Sequence, residues 1–287
     1  MLHHEQRLPR IGKDVDRRQL ITASAFDRIA WILTEYKNLA VQHRADTIVA
    51  TATSAVRDAA NKHEFSEYIK QVTGITIEIL SGKEEAALTY LGTVSGFPGT
   101  GAGFAVLDIG GGSTELTFPN PGARNGNPRL HQYSIDVGAV RLTERFFRDD
   151  PPTPAEVGSA RTYIREELSQ VRNPGLSGYR LVGVAGTVTT LACLDQGLPE
   201  FEVSRVAGYR MNSERVGSWC QKLCSMRSSE IRALSNAAEG RADILGAGTL
   251  ILSEFMSLFG CTDLTVSERG LRYGRALKAW EDAGKPG

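Results

Sequence analysis

Three consecutive glycines framed by carboxylates and hydroxyls carry the strongest chemical signal in this chain of 287 residues: Asp108-Ile109-Gly110-Gly111-Gly112-Ser113-Thr114-Glu115. Glycines let a backbone turn tightly and let its N–H groups approach a ligand without interference from Cβ. Asp108 lies near the end of the apolar run Phe104 to Ile109, which reads as a buried strand. A carboxylate at a strand's end can hold a hard cation such as Mg²⁺ through oxygen. Ser113 and Thr114 add hydroxyls, Glu115 adds a second carboxylate, and Leu116 to Phe118 resume a strand pattern. The chemistry is that of a phosphate and metal site. An ordinary glycine-rich hairpin explains Gly-Gly-Gly by itself equally well; the Asp before it and the Ser-Thr-Glu after it favour the site.

Two further stretches could contribute. Leu181 to Val184 is an apolar strand that breaks into Ala185-Gly186-Thr187-Val188-Thr189-Thr190. Alone this is a routine strand-to-helix turn; as a second such loop it is a candidate second wall of one cleft. Ser81-Gly82-Lys83-Glu84 spells a capping box that opens a helix through Ala87, Leu88 and Leu91. The box accounts for Glu84. For Glu85, composition alone favours a solvated first-turn acid stabilised by the helix dipole.

Other site classes are excluded. No Gly-x-x-x-x-Gly-Lys-Ser/Thr occurs, and the triple-glycine loop fails the Gly-x-Gly-x-x-Gly spacing of dinucleotide folds. Cys220 and Cys224 fall one helical turn apart, but no histidine or further cysteine lies close by to complete a zinc set. His63 and His131 have no spaced partner and read as structural or surface residues.

The elements that must position these groups alternate between strand and helix, so the fold class is α/β. Thr22 is a plausible N-cap for a helix through Ala40; Thr47 to Ala52 is a strand running into the polar turn Thr53 to Asp58, which carries Arg57. A helix ending at Gly74 and a strand Ile75 to Leu80 follow. Phe97 to Gly103 reads as the clearest linker and sets an expected boundary between domains 1–98 and 99–287. Beyond it come the glycine-loop strands, a Pro- and Gly-rich loop Pro119 to Pro128, a strand His131 to Val137 and a helix carrying Arg141. A capping box at Thr153 to Glu156, a helix Arg241 to Phe259 and a strand Leu264 to Val266 precede the final helix. Hydrophobic residues make up 41% and charged residues 23%, with 33 basic against 33 acidic side chains, so there is no global signal for nucleic acid or membrane. With no apolar run of membrane length and no signal-peptide core near Met1, the expected location is cytoplasmic.

Taken with their order, these blocks resemble the exopolyphosphatase/guanosine pentaphosphate phosphohydrolase (Ppx/GppA) family. Asp108 to Leu116 is similar to its second phosphate motif; Ala50 to Ala59 and Ile79 to Ala86 match two further blocks. Val184 to Ala192, Gly240-Arg241-Ala242-Asp243 and Ser267 to Gly274 extend the likeness over nearly the whole chain. The resemblance implies two ribonuclease-H-like domains of the actin, sugar-kinase and heat-shock chaperone superfamily around a phosphate-binding cleft. It implies Glu85 as the base that activates water and Asp108 and Glu115 as the Mg²⁺ ligands. Gly110, Gly111, Gly112 and Ser113 would bind phosphate, Arg57 would neutralise phosphate oxygens, and Gly186 with Thr187 would line the far side. A homodimer and a part in the stringent response are implied in the same way.

Family members open with Asp-x-Gly-Thr-Asn-Ser, which this sequence does not contain; its Met1 aligns near a later segment seen here as Arg10-Ile11-Gly12. The first domain is therefore expected to lack its opening strands and first phosphate loop, through a misplaced start or as a shortened paralogue, with the last helix packing back on it. The leading expectation is Mg²⁺-dependent hydrolysis of the terminal phosphoanhydride of inorganic polyphosphate. Guanosine pentaphosphate needs the same residues, and a non-catalytic phosphate or nucleotide sensor is the alternative of a different class.

Overall fold

The computed structural model describes residues 19–97, 103–120, 129–171 and 175–284, together with His3, Glu5, Arg7 and Ile11. Most of the N-terminal stretch, including Arg10 and Gly12, most of the Phe97 to Gly103 linker and most of the Pro119 to Pro128 loop lie outside these residues. The chain divides into two compact units, Met1–Gly82 and Lys83–Gly287.

The first unit begins with helix α1, Ala23–Gln42, whose Thr22 side chain caps the free Ala25 amide as its sequence position predicts. Strand β1 (Ala50–Ala52), helix α2 (Ser54–Arg57), helix α3 (Lys62–Thr73) and strand β2 (Ile77–Ile79) follow. Strands β1 and β2 pair in parallel, Ala50 opposite Ile77 and Ala52 opposite Ile79. Phe26, Val56, Phe65 and Ile69 form the core beneath them. The stretch expected as a polar turn is a short helix instead: the Arg57 amide bonds Thr53 O and the Asp58 amide bonds Ser54 O, both at 2.9 Å. Gly74 takes the left-handed φ of 73° that ends α3.

The second unit opens with helix α4, Gly82–Val94. Strands β3 (Phe104–Ile109), β4 (Thr114–Pro119) and β5 (Leu130–Ile135) form an antiparallel meander, followed by helices α5 (Ala139–Phe146) and α6 (Pro154–Ser169). Thr153 and Glu156 close the expected capping box on α6. Strand β6 (Arg180–Val184) runs directly into helix α7, Ala185–Asp195. Helix α8 (Val203–Val206), strand β7 (Arg210–Asn212), helices α9 (Ser213–Cys224), α10 (Ser228–Leu234) and α11 (Ala242–Leu258), strand β8 (Asp263–Val266) and helix α12 (Leu271–Asp282) complete the unit. The sheet order is β5-β4-β3-β6-β8-β7, with β6 parallel to β3 and β8 parallel to β6. This is a ribonuclease-H-like sheet with β7 added antiparallel at its far edge.

Side chains of one strand alternate between the two faces of the sheet. Ala105, Leu107 and Ile109 of β3 join the large core formed with Leu142, Ile164, Leu191 and Leu250 from α5, α6, α7 and α11. Phe104 and Val106 turn the other way, joining Val182 and Val184 beneath Tyr90 and Val94 of α4. Asp108 belongs to this second face by the same alternation.

Helix α4 is seated there by backbone contact. A Cβ added at Gly92 would stand 2.1 Å from Gly270 O, and one added at Gly274 would stand 1.8 Å from Leu88 O. The final helix α12 thus packs on α4 at a distance only glycine permits. Thr93 Oγ1 donates to Arg269 O at 3.1 Å and Arg269 Nη1 to Ser95 O at 3.0 Å, which ties the other end of the contact. Among the described residues no helix is long and apolar enough to cross a membrane.

The crossing predicts opposite outcomes for two Gly→Ala changes. Gly274→Ala must separate α4 from α12 and is expected to cost about 1–3 kcal/mol, as overpacking does. Gly217→Ala in α9, where an added Cβ meets nothing within 4 Å, is expected to be neutral or to stabilise by up to ~1 kcal/mol. Thermal melting of both variants checks the pair.

Candidate active site

Strand register assembles the site. Asp108 lies directly opposite Glu115 across the β3–β4 pair, and opposite Val184 across the parallel β3–β6 pair. Both glycine-bearing turns therefore leave the sheet side by side, at the carboxyl ends of neighbouring parallel strands, where open α/β sheets bind ligands. Directly opposed residues point to one face with Cβ atoms roughly 5 Å apart. Glu115 consequently shares Asp108's face, and Ser134, opposite Glu115 on β5, donates to Glu115 Oε1 at 3.0 Å.

Helix α4 brings the third carboxylate. Glu85 is only 8% exposed, while its neighbour Glu84 is exposed, so the solvated first-turn reading of Glu85 does not hold. Glu85, Thr89, Gly92 and Thr93 are all buried on α4, and their spacing of three and four residues puts them on one face. That face meets the Asp108 side of the sheet. Thr89 lies beside Asp108, and its buried Oγ1 has no hydrogen-bond partner among the described residues.

Crowding of like charges in a buried place shows in the proton affinities. Asp108 is pushed up to about 7, first by burial and then by the Glu85 charge, with the Thr89 hydroxyl opposing. Glu115 is pushed up to about 8 by burial, then by Asp108 and Glu85, with Ser113 and Ser134 hydroxyls opposing.

These oxygens suit a hard divalent cation. Mg²⁺ is held through one or two carboxylates, completing its shell with waters and substrate phosphate. Asp108 and Glu115 could supply such a pair, with the buried, unsatisfied Thr89 hydroxyl beside them. Among the described residues no three His, Cys, Asp or Glu side chains are grouped so as to hold a metal ion.

The loop Gly110-Gly111-Gly112-Ser113 closes through Gly110 N to Ser113 O at 2.9 Å. Ser113 is buried, and its hydroxyl reaches Glu115. At the second turn Ala185 takes the left-handed φ of 67°, unusual for a residue with a Cβ. Gly186 lies under the Arg241 guanidinium, where an added Cβ would fall 1.7 Å from Nη1. Burial and the nearby Arg272 charge lower the Arg241 pKa. Thr187 is buried with its side chain against Gly248 of α11, so its hydroxyl faces the helix core.

The second unit thus brings together Glu85, Asp108, Glu115, Gly110 to Ser113 and the Gly186 turn. Arg57 belongs to the first unit, where its Nη1 donates to Leu80 O at 2.9 Å. Sequence reasoning assigned no part to Thr89, Ser134 or Arg241. Thr89 was detectable as the residue one turn on from Glu85; Ser134 and Arg241 reach the site only through strand pairing and helix packing.

A profile of the Ppx/GppA phosphatase family matches residues 1–281. The chain belongs to the Ppx/GppA phosphatase family. Exopolyphosphatase 2 of Mycobacterium tuberculosis is 35% identical to it over 96% of this chain and 88% of that protein. Among solved structures, an exopolyphosphatase-like protein aligns with a TM-score of 0.90 and 30% identity, covering 96% of this chain and 91% of that one. The Aquifex aeolicus Ppx/GppA family member aligns with a TM-score of 0.79 and 29% identity, over 98% and 89% of the two chains. The family assignment and the α/β, ribonuclease-H-like fold therefore agree with the resemblance read from the motifs.

The raised carboxylates make a pH prediction for the protein without added metal. Folded-state pKa values above the unfolded ones mean that between about pH 4 and pH 8 the unfolded chain holds fewer protons, so their contribution to stability falls as pH rises. Asp108→Asn removes one of the crowded charges. It is expected to raise the melting temperature at pH 8, by about 1–3 kcal/mol of stability, and to change it little at pH 5. Melting in chelator at both pH values measures the difference.

Proposed function

We propose that this chain is an exopolyphosphatase: a Mg²⁺-dependent hydrolase that removes the terminal phosphoryl group from inorganic polyphosphate. The observation that carries the reading is the burial of Glu85 against Asp108 and Glu115, beside a glycine loop, in a chain of a phosphatase family. The name of the mycobacterial relative, Exopolyphosphatase 2, favours polyphosphate as substrate.

Phosphoryl transfer needs a positioned nucleophile, charge neutralisation and in-line geometry, with little covalent chemistry from the protein. Glu85 orients a water and accepts its proton as the water oxygen bonds to the terminal phosphorus and the bridging P–O bond breaks. Asp108 and Glu115 hold Mg²⁺, which when bound neutralises the phosphoryl oxygens. The N–H groups of Gly111 and Gly112 hold the terminal phosphate, the Ser113 hydroxyl being turned to Glu115, and Gly186 under Arg241 receives the phosphate chain behind it. Thr187 contributes its place at the start of α7 rather than its hydroxyl. Arg57, as in the family resemblance, neutralises phosphate oxygens.

The test is phosphate release from long-chain polyphosphate with Mg²⁺, beside release from guanosine pentaphosphate. Polyphosphate is expected to be the better substrate; the reverse result moves the assignment to guanosine pentaphosphate 5′-phosphohydrolase. Glu85→Gln is expected to lower kcat by about 10²–10⁴-fold, the usual contribution of a general base, with KM within a few-fold. Undiminished turnover would remove Glu85 from the mechanism, and binding without turnover in the unaltered chain would make it a phosphate sensor.

A further inference from the structure

The glycine loop is held by more than its own Gly110 N to Ser113 O hydrogen bond. Helix α5 reaches across to it, and three amides of the helix's first turn donate to loop carbonyls: Ala139 N to Gly110 O at 2.9 Å, Val140 N to Gly111 O at 2.9 Å, and Arg141 N to Gly111 O at 3.0 Å. Contact this close requires a glycine at position 138. An added Cβ there would stand 2.4 Å from both the carbonyl carbon and the oxygen of Gly111 and 2.5 Å from the carbonyl carbon of Gly112. The segment entering α5 is itself held, since Thr114 Oγ1 donates to Val137 O at 2.5 Å.

A helix start normally turns unsatisfied N–H groups toward solvent or an anion. Here those groups are spent on the loop, with a consequence for the loop's own amides. Within a trans peptide plane the C=O and the following N–H point in opposite directions. Anchoring Gly110 O on Ala139 turns the Gly111 N–H away from α5; anchoring Gly111 O on Val140 and Arg141 does the same for the Gly112 N–H. Helix α5 packs on the sheet face of Leu107 and Ile109, so both amides turn toward the opposite side, where Asp108, Glu115 and Glu85 gather. Neither amide makes a backbone hydrogen bond among the described residues. Hydrogen bonds in series polarise one another, so the positive end of α5 acts on these N–H groups through the intervening peptides.

We propose that Gly138 and the first turn of α5 are the positioning device for phosphate: they aim and polarise the paired Gly111 and Gly112 amides. The inference rests on the phosphatase reading of the same site for its ligand class. Gly138, Ala139 and Val140 are positioning residues, acting through the loop, and touch no substrate themselves.

The test follows the Gly111 and Gly112 amide resonances of the full chain during titration with inorganic phosphate, alongside Mg²⁺-dependent phosphate release from polyphosphate. Two variants accompany the unaltered protein. Gly138→Ala drives a methyl into Gly111. Ala139→Pro deletes the donor to Gly110 O and sets the ring Cδ against that carbonyl, displacing the loop from α5; Gly138 at φ −135° and ψ 162° already occupies the region taken by residues before proline, so the helix start itself tolerates the ring. Both amides are expected to shift with phosphate in the unaltered chain. In whichever variants retain the native circular dichroism spectrum, phosphate should bind at least ~10-fold more weakly and kcat should fall by about 10²-fold, as for loss of one oxyanion donor. The Mg²⁺ concentration for half-activation should stay as it was, a separation that general loosening of the structure would not produce.

Amides that stay put at saturating phosphate, or folded variants that bind and hydrolyse as the parent does, overturn the inference. If the parent hydrolyses polyphosphate while the amides stay put, only the positioning role falls. If the amides shift and the variants weaken phosphate without any polyphosphate hydrolysis, the positioning role stands and the reaction falls. Absence of both binding and hydrolysis overturns the two together.

Discussion

Three carboxylates gathered in one place, Glu85 and Glu115 buried and Asp108 half-buried, are the constraint on which the site depends. Like charges removed from water and set side by side cannot all stay ionised unless a cation or protons compensate them. Asp108 and Glu115 are locked opposite each other by the β3–β4 register, so neither can escape without breaking the pair. Glu85 is pressed on them by α4. The fold holds this arrangement against its electrostatic cost, which is the behaviour of a site shaped for a bound partner rather than for stability.

What holds it is close backbone approach together with the apolar contact of Tyr90 and Val94 against Phe104 and Val106. Gly92 and Gly274 let α4 meet α12 and the loop before it at distances no side chain allows, and Arg269 fastens the end of α4 through Ser95. The position of Glu85 is therefore decided some two helical turns away, at residues with no chemistry of their own. The same principle recurs at the glycine loop, where Gly138 lets α5 touch Gly111. In each case a missing Cβ lets a helix clamp an element of the candidate site.

The two parallel strands β3 and β6 supply the remaining order. Their carboxyl ends lie in register at Asp108 and Val184, so the triple-glycine loop and the Ala185-Gly186 turn open on the same edge of the sheet. Arg241 closes over Gly186 from α11's start, adding positive charge where the carboxylates have added negative. The proposed polyanion would meet a guanidinium there, a charge of the appropriate sign.

Local features were legible in the sequence because they depend on residues close in the chain. The apolar run ending at Ile109, the Thr22 cap, the Thr153 and Glu156 capping box and the stop at Gly74 all follow from nearest-neighbour physics, and the order of the motifs was enough to reveal the family and its α/β fold. Glu85 is the instructive case: its surroundings in sequence suggest a solvated helix-start acid, and only the seating of α4 on the sheet buries it. Thr187 is the reverse, a hydroxyl that looks available beside Gly186 but packs into α11. The parts played by Thr89, Ser134, Gly138 and Arg241 were decided by tertiary structure alone, because strand register and helix–helix approach bring together atoms that no local pattern relates.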